Sequence, residues 1–357
     1  MRRFSLARIH RVVAGLGFAG LLAVPKQSIA QGCEPIRFSN PSLGGQGESY
    51  QEAHQWRLTV GYRRLYTNQW TVGTEIHNDS APFGSAPIIN IHTFAASLSY
   101  AVTNRFNLQL SVPYSTGSLS RVYPDSASHR ESASGVGDLS LVANLWLLDP
   151  GAPGEQRKGN IAVGVGVKAP TGSNHVASKF YTANGPVPFA ADQAIELGDG
   201  GWGIILETQA FRQVFDRAFA YLSGSYMFSP RAQTNVVARA PNSGQYWSVP
   251  DIYSGRLGLA YTLLPDQGLS VSLGGRIDGD PVHDVFGGGD NAVRRPGYVV
   301  YLDPGLALTR GRDNITLSVP LKLRAERQRS VLEQHQTTPV GGGFAKFLVF
   351  AAYSRRF

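Results

Sequence analysis

Beyond its first thirty residues, the chain never approaches the ~18 consecutive apolar residues that a membrane-spanning helix requires. It has a single cysteine, Cys33, so no intrachain disulfide can form. Charged residues make up only 16% of the 357, against about 25% in a typical soluble domain. There is no Gly-x-Ser-x-Gly elbow, no phosphate-binding P-loop and no dinucleotide fingerprint. These absences exclude a helical membrane protein, a disulfide-stapled domain and the common nucleotide-dependent or serine-hydrolase enzymes. What remains is a chain with 42% hydrophobic residues and 41 glycines, a balance that suits many short strands.

The first thirty residues read as an export signal. Arg2, Arg3, Arg8 and Arg11 precede an apolar run from Val12 to Val24, and Ser28-Ile29-Ala30 supplies small residues for cleavage before Gln31. Five of the 33 basic residues and none of the 25 acidic ones would leave with it. The mature chain then carries 28 basic against 25 acidic residues, a net charge of +3. The basic pI of 9.6 therefore belongs mostly to the signal, and nucleic-acid binding is not expected. Ala30-Gln31-Gly32-Cys33 is a distorted lipobox without its leading leucine. A free thiol in an N-terminal tail is the preferred reading of Cys33.

From Trp56 onward the dominant pattern has period two. Phe106, Leu108, Leu110, Val112 and Tyr114 alternate with Asn107, Gln109, Ser111 and Pro113. Ile161, Val163, Val165 and Val167 alternate with Ala162, Gly164, Gly166 and Lys168. A helix would scatter these apolar residues around its circumference, whereas a strand puts them on one face. The runs are roughly 9–11 residues long, enough for a tilted strand to cross the hydrocarbon. Strands of soluble sandwiches are usually nearer 5–6.

Connections alternate short and long, as in outer-membrane barrels with short periplasmic turns and long extracellular loops. The expected fold is all-β, a single transmembrane antiparallel β-barrel over residues 56–357. Twelve strands are predicted, at 56–66, 92–102, 105–115, 137–147, 160–169, 203–213, 218–229, 253–263, 268–278, 298–309, 313–324 and 344–357. The segment 70–76 is read as part of the first loop; counting it as spanning would lead to the alternative of fourteen. Residues 1–30 form the signal, and 31–55, rich in proline and glycine, a periplasmic tail or a plug. The last strand ends on the aromatic Phe357, the pattern expected of a substrate for the bacterial barrel-insertion machinery. Location in the outer membrane, with its lipid as partner, follows.

If apolar residues face lipid, their neighbours face the lumen. Arg or Lys on the lipid face costs roughly 2–4 kcal/mol near the midplane. The predicted lumen set is Arg57, Arg63, Asn107, Gln109, Asp138, Asn144, Lys168, Glu207, Arg256, Arg276, Asp303, Lys322 and Arg324. Such residues either pair and stiffen a filled barrel or form a charged constriction that selects solutes. The aspartates of 278–291 either ligate Ca²⁺ or form a metal-free acidic loop; the spacing does not match an EF-hand. No catalytic residue, cofactor or metal site is assigned. His92 and Ser97 are five apart on one strand and so face opposite sides.

Ser111-Val112-Pro113-Tyr114 followed by Gly135-Val136-Gly137-Asp138-Leu139 resembles a pairing found in outer-membrane proteins grouped as transporters of the MetA pathway of phenol degradation. Arg294-Arg295-Pro296-Gly297-Tyr298 and Tyr353-Ser354-Arg355-Arg356-Phe357 also resemble members of that group. The resemblance runs over most of the mature chain on short, structural motifs. It implies a barrel that passes small, aromatic or hydrophobic molecules. The expected function is therefore passive uptake of small-molecule solutes, not catalysis. The alternative is a closed structural or adhesive barrel whose extracellular loops bind partners.

Overall fold

The protein's structure, a computed structural model, describes residues 50–150, 158–287, 291–334 and 340–357. The predicted signal, Cys33 and most of the predicted tail lie outside these residues. Apolar alternation resolves into twelve spanning strands: β1 Trp56–Thr67, β2 Ile88–Ala101, β3 Phe106–Val122, β4 Leu139–Trp146, β5 Gly159–Ala169 and β6 Gly203–Phe215. They continue as β7 Ala218–Phe228, β8 Ile252–Leu264, β9 Leu269–Asp280, β10 Gly297–Arg310, β11 in two pieces (Asp313–Ser318 and Leu321–Arg327) and β12 Phe347–Arg356. Each pairs antiparallel with the next. β12 returns to β1 in a register running from Arg57↔Arg356 to Tyr66↔Phe347. Closure matters in lipid, where an open edge would leave backbone N–H and C=O groups without partners.

The segment 70–76 does not cross. Thr71–Val72 pairs with Glu75–Ile76 in a two-residue hairpin and with Gly341–Gly342 of the last loop. This leaves twelve strands and rules out fourteen. One expected loop is partly strand: β3 runs on to Val122, and beyond Tyr114 it pairs with Ser128–Val136 as a hairpin projecting above the membrane. Between this segment and β4 the register shifts by one, at Gly137-Asp138. β11 is interrupted at Val319-Pro320, where proline has no N–H to give the ladder.

The outer face is an apolar belt. Val163, Val165 and Val167 on β5, Leu257 and Leu259 on β8 and Ile315 and Leu317 on β11 are all exposed, Leu257 to 63%. Contiguous exposure on this scale is stable only against lipid. The periplasmic turns are tight. Gly268, at φ 68°, closes the turn between β8 and β9, where an added Cβ would strike the Thr309 carbonyl.

The interior is filled from both ends. At the extracellular end Ala191, Ala194, Ile195 and Leu197 of the loop after β5 pack on Leu65, Ile89, Ile91 and Leu119 of the wall, together with Phe344 and Leu348. Gly117 permits this: a Cβ there would stand 3.1 Å from the Ile195 side chain. At the periplasmic end Tyr50 lies against Trp146 and Phe211, with ring centroids 4.8 and 5.8 Å away. Asn160 donates to the Tyr50 hydroxyl at 2.8 Å and Arg57 to its carbonyl at 2.9 Å. Ser99 donates to Gln51 at 2.7 Å. The last residues of the predicted tail thus dock in the lower barrel.

Candidate functional site: the lumen wall

The registers stack inward side chains in layers, because residues paired across a ladder share a level. One layer runs Asn107–Asn144–Gly164–Glu207–Ser225–Ser254–Asp278 from β3 to β9. The layer below runs Trp146–Ala162–Gln209–Ser223–Arg256–Arg276–Tyr301, and Tyr301 pairs with Lys322. The next carries Asn160, Phe211, Tyr221, Gly258, Gly274 and Asp303. Gly258 and Gly274 make room for Tyr221, whose hydroxyl would meet a Cβ on either at 2.6 Å.

Most charges in these layers are neutralised where they stand. Arg256 Nε donates to Asp303 at 2.7 Å, and Ser318 donates to the other Asp303 oxygen. Arg276 makes two hydrogen bonds to Asp278, at 2.6 and 3.0 Å, and stacks on Phe350 at 4.5 Å. All four charged residues are at most 4% exposed. Burial on this scale is tolerated only because each charge has a partner at hydrogen-bond distance.

Higher up, Lys168 binds Asp138 at 3.0 Å and also Asp199 of the loop after β5. Asp138 accepts a further hydrogen bond from the Gly172 N–H at 2.9 Å. The Gly-Asp-Leu motif at 137–139 thus provides the acid that anchors the inward-folded loop. Above it Arg121 bridges Glu131 at 3.2 Å and Asp192 at 3.1 Å. Burial pushes the Glu131 carboxyl up to about 6, against the pull of Arg121. Burial likewise pushes the neighbouring Tyr123 hydroxyl up to about 12.

The remaining predicted residues divide. Arg57 reaches Tyr50, Arg63 donates to Thr93 at 3.1 Å, and Lys322 donates to Gln69 at 2.6 Å. Gln109 contacts Ser111 at 3.4 Å. Asn107, Asn144 and Glu207 sit together in the first layer. Arg324 is a correction. A bulge between Lys322 and Arg324 shifts the register, so Arg324 pairs with the outward Val300. Its side chain is 58% exposed and binds Glu326 at 2.9 Å on the outer face, and Tyr298 donates to the same acid. Strict alternation could not anticipate an extra residue.

The acidic loop after β9 is held by arginines. Arg294 grips Asp284 at 2.8 Å and by a second, shorter contact, and Asp278 belongs to Arg276. Among the described residues no group of three or more histidines, cysteines or acids is placed to hold a metal ion. Sequence reasoning missed Tyr50, Arg121, Glu131, Asp192 and Asp199. The alternation of 128–136 was the one local signal pointing to any of them.

No family model matches the chain, and no curated protein matches it. Among solved structures, the chain is similar to an outer membrane channel from Pseudomonas putida F1. The two share 16% identity over 86% of this chain and 97% of that one, with a TM-score of 0.57. A Pseudomonas aeruginosa FadL homologue (10% identity, 85% and 90% covered, TM-score 0.39) and the P. putida toluene transporter TodX (10%, 86% and 90%, 0.38) also align, at a level that carries no argument here. The first of these likenesses establishes a shared fold, the membrane β-barrel, and at that level accords with the resemblance to the phenol-degradation transporters.

Proposed function

We propose that the protein is an outer-membrane channel through which small hydrophobic or aromatic molecules diffuse passively, and that it is not an enzyme. The observation that carries this reading is the layered lumen. An apolar layer of Val142, Ile205 and Met227 lies above the Asn144–Glu207 layer, and the aromatic side chains of Trp146, Phe211 and Phe219 cluster at successive levels below it. A wall of alternating apolar and polar layers offers several weak contacts in series, and a passage needs contacts weak enough to release what it admits. The loop after β5 supports the same reading, because it folds inward and packs its apolar residues on the wall. The fold shared with the P. putida channel is consistent with it.

The test is planar-bilayer recording and proteoliposome exchange with the refolded mature chain, residues 31–357. Discrete current steps, together with faster equilibration of a small aromatic solute than in empty vesicles, are expected. Folded protein that neither conducts nor speeds exchange would overturn the reading.

A further inference from the structure

Three buried acids of the wall, Asp138, Asp278 and Asp303, each face a cation at hydrogen-bond distance. Glu207 does not. It points inward from the middle of β6, and among the described residues neither a cation nor a hydrogen-bond donor meets its carboxylate. Its ladder partners are Gly164 and Ser225. Gly164 has no side chain, and the Asn144 amide oxygen from β4 occupies that gap: a Cβ at Gly164 would collide with it and come within 3.3 Å of Glu207 Cβ. Two oxygen-bearing side chains thus converge across a glycine, and Asn144, 8% exposed, also has no hydrogen-bond partner among the described residues.

The surroundings narrow what would satisfy them. A buried anionic carboxylate is costly unless a cation or several donors offset it. Bulk water is restricted on both sides, by Val142, Ile205 and Met227 above and by Trp146 and Phe211 below. The aromatic faces below already carry a flat ring, that of Tyr50, 4.8 and 5.8 Å from Trp146 and Phe211, and such faces tolerate an adjacent cation.

We propose that Glu207 and Asn144 form a lumen site for a protonated primary amine carried on a small planar apolar body. The ammonium donates to the Glu207 carboxylate and to the Asn144 amide oxygen, and the body takes the place of the Tyr50 ring against Trp146 and Phe211. The inference rests on the channel reading only in treating the ligand as a passing solute; the site itself is tested by binding.

The experiment is calorimetric titration of the full mature chain in detergent, at mildly alkaline pH, with benzylammonium, benzyl alcohol and benzoate. Benzylammonium is expected to bind at least tenfold more tightly than the alcohol, and benzoate not to bind. Glu207→Gln should remove the preference for the amine, Asn144→Ala should weaken it several-fold, and Glu207→Asp should retain part of it. Each variant is first checked for the gel shift on heating that marks a folded barrel, and Asn144→Ala serves should Glu207→Gln fail to fold. Equal affinity for amine and alcohol, or an unchanged preference in folded Glu207→Gln, would overturn the proposal. Amine binding by a protein that neither conducts nor exchanges solutes would sustain the site and sink the channel; conduction without amine binding would do the reverse.

Discussion

On the β8–β10 side of the lumen, Arg256, Arg276, Asp278 and Asp303 are packed into two ion pairs at 2.6–3.0 Å, braced by Ser318 and Phe350. On the β4–β6 side, at neighbouring levels of the same barrel, Glu207 and Asn144 flank a bare glycine and bind none of the described residues. Both walls follow one alternation rule, and both put polar groups inward. They differ in what fills the space beside each group. Where strands contribute opposite charges at adjacent levels, the charges neutralise one another and the wall becomes rigid. Where glycine leaves a gap and no opposite charge is within reach, the polar groups remain available to something else. An inward charge is thus informative about solutes only after its partner has been looked for.

This contrast can be broken most forcefully from the paired side. Asp303→Asn should leave the Arg256 guanidinium buried without a counter-charge, costing about 3–5 kcal/mol. Denaturant unfolding in detergent, followed by heat-dependent gel migration, should show the loss. A variant as stable as the parent would mean that the pair is hydrated and that the two walls do not differ as described.

A smaller effect is expected in the extracellular network. Burial lifts the Glu131 carboxyl from the ordinary 4.5 to about 6, so the folded state holds this proton more tightly than the unfolded chain. Its contribution to stability is present in acid and is lost as pH rises from about 4.5 to about 6. The change is about 2 kcal/mol. Unfolding midpoints measured across that window should fall with pH in the parent more steeply than in Glu131→Gln. Parallel slopes would remove Glu131 as the cause.

The smallest effect sharpens the comparison from the unpaired side. Glu207→Gln removes a buried charge that no described residue offsets, so the variant should be no less stable than the parent, and more stable by up to about 1 kcal/mol. A loss as large as that of Asp303→Asn would show that Glu207 has a structural partner after all.

Much of the architecture was legible because a lipid-facing strand must alternate. Val163-Gly164-Val165-Gly166-Val167 can be read only one way once one face meets hydrocarbon, and the same logic set twelve strands, their sidedness and most of the inward residues. It failed at Arg324, where the bulge beside Leu323 moved one side chain to the outer face. It also understated β3, whose upper half alternates smaller and more polar residues above the membrane, where no lipid enforces the pattern.

The amino-acid sequence by itself determined the membrane barrel, through a local two-residue period that needs no knowledge of distant contacts. Tertiary structure alone decided which inward groups are neutralised. Lys168 meets Asp199 across 31 residues, Tyr50 meets Asn160 across 110, and Lys322 meets Gln69 across 253. Such partners are set by barrel closure and by loops folding back into the lumen. No local pattern encodes them, and the availability of Glu207 follows from the same long-range geometry.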